Sequence, residues 1–322
     1  QLTEVRVTLI RKDLMKFKKD TRKEVSKVIQ KDFIQKNETA TTELLKNLEK
    51  NYHLDFWSYH AGLADGDGCF QNRKKGMSYK LKLCDLAPVK SLADAYGASI
   101  SKITFSQKKY TTVYFVTLYS DRADHFAAMV CPMLSEKRKF VTKLLNKKYK
   151  NYHPVKIPMN KDNIGLHLSY IAGFFDAEGS VKCSLKHKKK KYKNGYKYHP
   201  EIVTTVKMTN TELSVLKKIQ QFLTSPPFNW TKNQLKIYSH LPKGKKLNGE
   251  PFKIKYDLHC NAGKGTTLMA ILEPMIMIPR KKKSIKTLKL LHAVDKMVGH
   301  KTLANYPVNL KRELGPSQKV TI

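Results

Sequence analysis

The apolar positions along this chain change period several times, and the sequence of changes occurs twice. Residues 1–53 place Leu14 and Phe17, then Val25, Val28, Ile29 and Phe33, at helical spacing among many lysines, and Thr41-Thr42 ahead of Glu43-Leu44-Leu45 reads as a helix start. From Leu54 a short apolar helix runs into an acid followed by glycine, Asp67-Gly68, and gives way to period-two alternation at 69–75 and 78–84. A helix at 86–96 closed by Gly97, strands near 99–106 and 111–119, and one helix from about 121 through Lys147 with a bend at Pro132 complete the run. Residues 148–165, with Pro154 and Pro158, read as a linker. The same order then returns as an apolar helix, strands from Ser180 and at 201–209, a helix at 211–224, strands near 234–240 and 252–260, and a helix from about 265 into the 290s. The expected architecture is α+β, with two pseudo-symmetric α-β-β-α-β-β-α halves at 54–147 and 166–300, a basic helical extension at 1–53 and a tail at 301–322. The second half is longer through a Lys-rich hairpin at 186–197 and a loop at 241–251.

The two apolar helices end in versions of one motif, His60-Ala61-Gly62-Leu63-Ala64-Asp65-Gly66-Asp67-Gly68 and Ile171-Ala172-Gly173-Phe174-Phe175-Asp176-Ala177-Glu178-Gly179, about 111 residues apart. Ala61, Gly62, Ala172 and Gly173 would let two helix backbones approach closely and so bring the terminal acids together. Composition narrows what such paired carboxylates serve. A formal charge of +36 on 322 residues, with 41% hydrophobic content, implies a folded core and a polyanionic partner, nucleic acid first. No run of about 18 apolar residues supports a membrane span. Five scattered cysteines without C-x-x-C or paired Cys/His spacing argue against zinc. About 54 of the 62 basic residues are Lys, a skew expected of an AT-rich genome and hence of an organellar origin, mitochondrion or chloroplast. The start at Gln1 is what a processed or trimmed chain would show.

At these motifs the chain resembles the LAGLIDADG family in its single-chain, two-motif form, whose members are mostly intron-encoded homing endonucleases and some intron maturases. The resemblance spans residues 54–300. It implies that the motif helices pack at the centre, that each half adds a four-stranded antiparallel sheet, and that the two sheets form a saddle over duplex DNA of about 20 bp bound by a monomer. It further implies metal-dependent hydrolysis of both strands, leaving four-base 3′ overhangs, with Mg²⁺ or another divalent cation such as Mn²⁺ or Ca²⁺. An RNA-binding protein on the same fold, a group I intron maturase or a binder of ribosomal RNA, is the alternative, and a DNA-binding repressor a third.

The resemblance carries over to particular residues. Asp67 and Glu178 would hold the metal with the backbone of Gly66 and Ala177, while Asp65 and Asp176 would be structural. Aligning Leu81-x-Leu83-x-Asp85 with Met208-x-Asn210-x-Glu212 puts Lys80 and Lys207 at equivalent catalytic positions. Lys137, five residues after Pro132, fits the lysine at the start of the last helix. Five residues after Pro274 stands Pro279, with Arg280 and Lys281 beyond, so the second helix lysine is expected to be missing. Strand alternation assigns to the nucleic-acid face Gln71, Arg73, Lys75 and Lys82, then Lys102 and Thr104, Lys182, Ser184, Lys186 and Lys188, and Lys253 and Lys255. His153, His167 and His259 show no ligand spacing and read as ordinary residues.

Overall fold

The computed structural model describes residues 52–74, 76–104, 111–149, 163–192, 195–241 and 250–302, together with Tyr152, Pro154 and Ile157. The expected extension as far as residue 51, nearly all of the linker, the tail from residue 303, Lys75, His153 and the side chains of Ser184, Lys186 and Lys188 lie outside the described residues. One compact unit falls within 47–182 and 205–285 and holds both motifs; residues 183–204 and those from Lys286 onward are assigned to a second.

Each half begins with its motif helix, α1 (Tyr52–Gly66) or α5 (Ile164–Glu178). In the first half follow β1 (Gly68–Arg73), β2 (Gly76–Leu83), α2 (Leu86–Tyr96), β3 (Ile100–Ile103), β4 (Val113–Tyr119), α3 (Ser120–Val130) and α4 (Arg138–Lys148). In the second follow β5 (Gly179–Tyr192), β6 (Gly195–Asn210), α6 (Leu213–Thr224), β7 (Leu235–His240), β8 (Lys255–Cys260), α7 (Ala262–Leu272) and α8 (Pro279–Thr302). The sheets have the orders β1-β2-β4-β3 and β5-β6-β8-β7, which are the same order under the repeat. This is the antiparallel, twofold-repeated α+β architecture that the periodicity predicts.

Alternation decides which sheet face is buried. Tyr79, Leu81, Val116 and Leu118 are fully buried in the first half, and Val206, Met208, Leu258 and Cys260 in the second. Phe126 of α3 closes the first core with Tyr79 and Phe70, ring centroids 4.3 Å apart for Phe126–Tyr79 and 4.6 Å for Phe70–Tyr79. Helix α6 buries Val215, Leu216, Ile219, Phe222 and Leu223, a stripe at helical spacing. Gly97 closes α2 in the left-handed conformation, φ 55°, with its N–H on the Asp94 carbonyl.

One expectation fails in the same way in both halves. The single helix from about 121 through Lys147 is two helices, α3 and α4, and the helix from about 265 into the 290s is likewise α7 and α8. The physical reason is the motif. In the first break the N–H groups of Ser135 and Lys137 donate to Asp65, at 2.7 and 3.4 Å. In the second, those of Met277 and Ile278 donate to Asp176, at 2.7 and 3.3 Å. A buried carboxylate accepting backbone N–H groups compensates for the helical bonds that are given up.

The motif helices pack against each other through Gly62 and Gly173. A Cβ at Gly62 would run into the Tyr170 carbonyl oxygen, and one at Gly173 into that of Tyr59. Alanine normally stabilises a helix relative to glycine, so the sign of a substitution reports the contact. Gly173→Ala should lower the urea unfolding free energy by about 1–3 kcal/mol, because the neighbouring backbone has to shift. Gly263→Ala, at a helical glycine whose added Cβ would meet nothing within 4 Å, should be neutral or stabilising. Equal responses of the two variants would contradict the packing.

Candidate metal and nucleic-acid site

The two motifs meet as a pseudo-twofold pair. Tyr59 Oη donates to Asp176 Oδ2 at 2.6 Å, and Tyr170 Oη donates to Asp65 Oδ2 at 2.7 Å. Each bond crosses from one helix to the other, and all four groups are buried. Burial pushes both aspartates above the ordinary carboxyl range, against the pull of the tyrosine and backbone donors. The tyrosines rise well above theirs through burial and the facing carboxylate. Asp65 and Asp176 thus serve structure, each accepting from the tyrosine of the facing helix and from backbone N–H groups of its own half.

Asp67 and Glu178, the next acids along, close the two helices on one side. Asp67 lies just beyond α1, its N–H on the Leu63 carbonyl at 2.8 Å, and Glu178 is the last residue of α5. The helix ends touch here: a Cβ at Gly66 would collide with Ala177 and lie 3.2 Å from Glu178 Cγ. Asp67 is exposed on one side, yet the protein around it displaces enough water to raise its pKa, opposed by Lys281 and Lys137. Glu178 is pushed to about 7 by burial and then by the charge of Asp67, again opposed by Lys281 and Lys137. Carboxylates from different halves therefore share one electrostatic field.

Two lysines frame them. Lys137 Nζ donates to the carbonyls of Ala64, of Asp65 at 3.2 Å and of Gly68 at 2.7 Å. Lys281 Nζ donates to the carbonyls of Phe175 at 2.5 Å and Asp176 at 2.7 Å. The second helix lysine is therefore present, contrary to the expectation drawn from Pro274 and Pro279. The stretch between α7 and α8 carries two more residues between proline and lysine than its counterpart. Matching the basic clusters Lys137-Arg138-Lys139 and Lys281-Lys282-Lys283 would have found it. Burial lowers the pKa of both lysines, that of Lys281 to about 8, while the surrounding acids counteract the shift.

The register places the remaining expected residues. Lys80 pairs with Cys69 and Thr117, and Lys207 pairs with His259, the equivalent of Thr117, so Lys80 and Lys207 occupy matching positions on the open sheet faces. Their surroundings differ. Lys80 lies over the Phe115 ring, 4.1 Å from its centroid, whereas Lys207 is paired with Asp257 at 3.0 Å. Asp257 also accepts from Thr209 at 2.5 Å and faces His240 and His259 at 3.1 and 3.6 Å. Although burial works the other way, these partners hold its carboxyl below the ordinary range. Nothing in the alternation pattern signalled this cluster.

Gln71, Arg73, Lys82, Lys182 and Lys255 are exposed on their strands. Arg73 Nη2 donates to Gln71 Oε1 at 3.2 Å and its guanidinium lies 5.4 Å from the Tyr119 ring centroid. Lys253 precedes β8 and pairs with Glu212 at 3.1 Å. Lys102 and Thr104 depart from the expectation. Lys102 pairs with Tyr114, which in turn pairs with Leu83 on the core side, and Thr104 lies past the end of β3. On that edge Ser101 and Ile103 share the open face with Phe115 and Val113. The error is one of register, since a one-residue shift reverses a strand's faces.

Among the described residues no group of three or more His, Cys, Asp or Glu could hold a metal by itself, and no helix is long and apolar enough to cross a membrane. A cation here would draw on Asp67 and Glu178, an all-oxygen donor set suited to a hard ion that keeps water and substrate oxygens as its other ligands.

Comparison with known proteins agrees with the motifs. Residues 171–292 match the family model described as LAGLIDADG endonuclease. No curated relative matches the chain. Among solved structures the chain is similar to the LAGLIDADG meganuclease I-AabMI bound to uncleaved DNA, at 16% identity and a TM-score of 0.49, covering 80% of this chain and 97% of that one. It is also similar to the I-LtrWI homing endonuclease bound to target DNA, at 12% identity and 0.44, covering 82% and 99%. A third likeness is to I-SmaMI bound to uncleaved DNA in the presence of calcium ions, at 12% and 0.40, covering 78% and 95%.

The raised pKa of Glu178 has a sign that can be tested without substrate. Its folded value of about 7 exceeds the ordinary 4.5, so its protonated form favours the folded state and that stability is lost as pH rises from about 4.5 through 7. In the absence of divalent cations, Glu178→Gln should match wild type below pH 4 and become progressively more stable than it up to about pH 7, then level off. Parallel denaturation midpoints across that range would contradict the burial and charge coupling of Glu178.

Proposed function

We propose that this chain is a single-chain LAGLIDADG endonuclease acting on duplex DNA, a reading supported by the family match over 171–292 and by the same motif and element order in its first half. The observation that carries this reading is the composite site: Asp67 from one half and Glu178 from the other, coupled electrostatically and flanked by Lys137 and Lys281. Two carboxylates that resist ionising side by side are stabilised as a pair by a divalent cation, Mg²⁺ in this proposal, with the Gly66 and Ala177 carbonyls, water and substrate phosphate as further ligands. The bound cation would polarise the scissile phosphate and lower the pKa of an attacking water.

The chain's own residues do the rest. Lys137 and Lys281 hold the carbonyls at the two motif ends, fixing Asp67 and Glu178 in place and setting positive charge where the phosphate gains negative charge. Lys80 and Lys207, at matching positions on the two sheets, would contact phosphates on either side of the centre. The charge of +36 draws the duplex in and makes binding steeply dependent on salt. Two working sites would cut both strands and leave four-base 3′ overhangs. The matching contacts of Lys137 and Lys281 with the two motif ends support two working sites.

Cleavage selection from a randomised duplex library in Mg²⁺, with structured RNA as a parallel binding target, tests the proposal. Wild type should yield one family of cut sites. Asp67→Asn and Glu178→Gln should each slow cutting by about a hundredfold or more, while binding of the uncut duplex in Ca²⁺ stays within a few-fold. Uncut DNA with tight RNA binding indifferent to both substitutions would overturn it.

A further inference from the structure

The two open sheet faces are built on one lattice but carry different chemistry at three neighbouring positions. Strand registers equate β3–β4 with β7–β8: Ile103 pairs with Val113 as His240 pairs with Lys255, and Ser101 pairs with Phe115 as Tyr238 pairs with Asp257. In the first half three neighbouring positions therefore hold Ile103, Val113 and Phe115, and in the second half the same three hold His240, Lys255 and Asp257. Ile103 is 38% exposed although apolar, and Val113 and Phe115 are half-buried. Lys80 lies over Phe115 and the exposed Lys82 pairs with it across the strands, so the hydrocarbon surface is bordered by cations. In the second half Asp257 is buried and held by Lys207, Thr209 and His240, so these three positions are polar, with the exposed ring of Tyr238 beside them where the first half has Ser101.

A hydrocarbon patch edged with lysines suits a ligand that offers apolar groups within a polyanion. In duplex DNA the apolar group at a base edge is the thymine C5-methyl, displayed in the major groove. Resting on the reading of the chain as a duplex-DNA endonuclease, we propose that Ile103, Val113 and Phe115 select thymine methyl groups in the half-site under the first sheet, and that the equivalent positions of the second sheet, His240, Lys255 and Asp257, make no methyl contacts. Lys80 and Lys82 hold the adjoining phosphates and add no sequence preference. The predicted target is thus asymmetric, with thymines concentrated in one half.

Replacing thymine by uracil deletes only the methyl and leaves every hydrogen-bonding group, so it isolates this contact. The full chain in Ca²⁺ would be used to recover a bound duplex from a random library, and each thymine of that duplex would then be changed to uracil singly. Uracil should weaken binding roughly fourfold per contacted methyl, at positions confined to one half-site. In Phe115→Thr and, separately, Ile103→Thr, thymine and uracil duplexes should bind alike at the positions each residue contacts, which assigns the sensitive half-site to the first sheet. Thermal melts check that both variants stay folded. Uracil sensitivity in neither half-site, in both equally, or unchanged in both variants would overturn the inference while leaving the endonuclease reading intact; no duplex binding by wild type would overturn both.

Discussion

Everything in this protein depends on two helices approaching to backbone contact. Gly62 and Gly173 permit that approach, because a side chain at either would occupy the place of a carbonyl oxygen on the partner helix. Once the helices are that close, Tyr59 and Tyr170 can reach across to Asp176 and Asp65. These bonds give four buried polar groups a partner across the interface, and directional contacts of this kind specify one arrangement where an apolar seam would allow several. The offset of about 111 residues holds for the glycines, tyrosines and both pairs of acids, so the interface repeats itself about a pseudo-twofold axis.

The interface also organises chain outside it. Asp65 and Asp176 each take two backbone N–H groups from the break between the last helices of their half. Those breaks carry Lys137 to the first motif end, and the second leads into α8, whose Lys281 reaches the other. A single carboxylate position thus joins the helix interface, the helix break and the placement of the lysine beside the site. The acids that follow are left to face one another across the seam, where Glu178 is kept partly protonated near neutrality by burial and by Asp67.

Much of this was legible in the sequence and some was not, for identifiable reasons. Strand and helix order and the doubled motif follow from periodicity, and the position of Asp67 and Glu178 at the two helix ends from the acid-glycine pair there. The division of the last helices was hidden because apolar spacing continues through the breaks; the signal lay in the distant carboxylates that accept the freed N–H groups. Lys281 was hidden by counting from a proline instead of matching the basic cluster. Lys102 was placed on the wrong face because β3 is short and exposed on every residue, so its burial pattern gave no phase. Asp257 is invisible to any local pattern, since its partners come from three strands.

The central claim is that the two halves bring Asp67 and Glu178 into a single site. It is tested most directly by following the Glu178 side-chain carboxyl by NMR across a pH titration, in wild type and in Asp67→Asn, without divalent cations. The expected result is a midpoint near 7 in wild type, set first by burial, that moves towards the ordinary glutamate range when the charge of residue 67 is removed. A midpoint that is already ordinary, or one that ignores the substitution, would mean that the two carboxylates do not share a site.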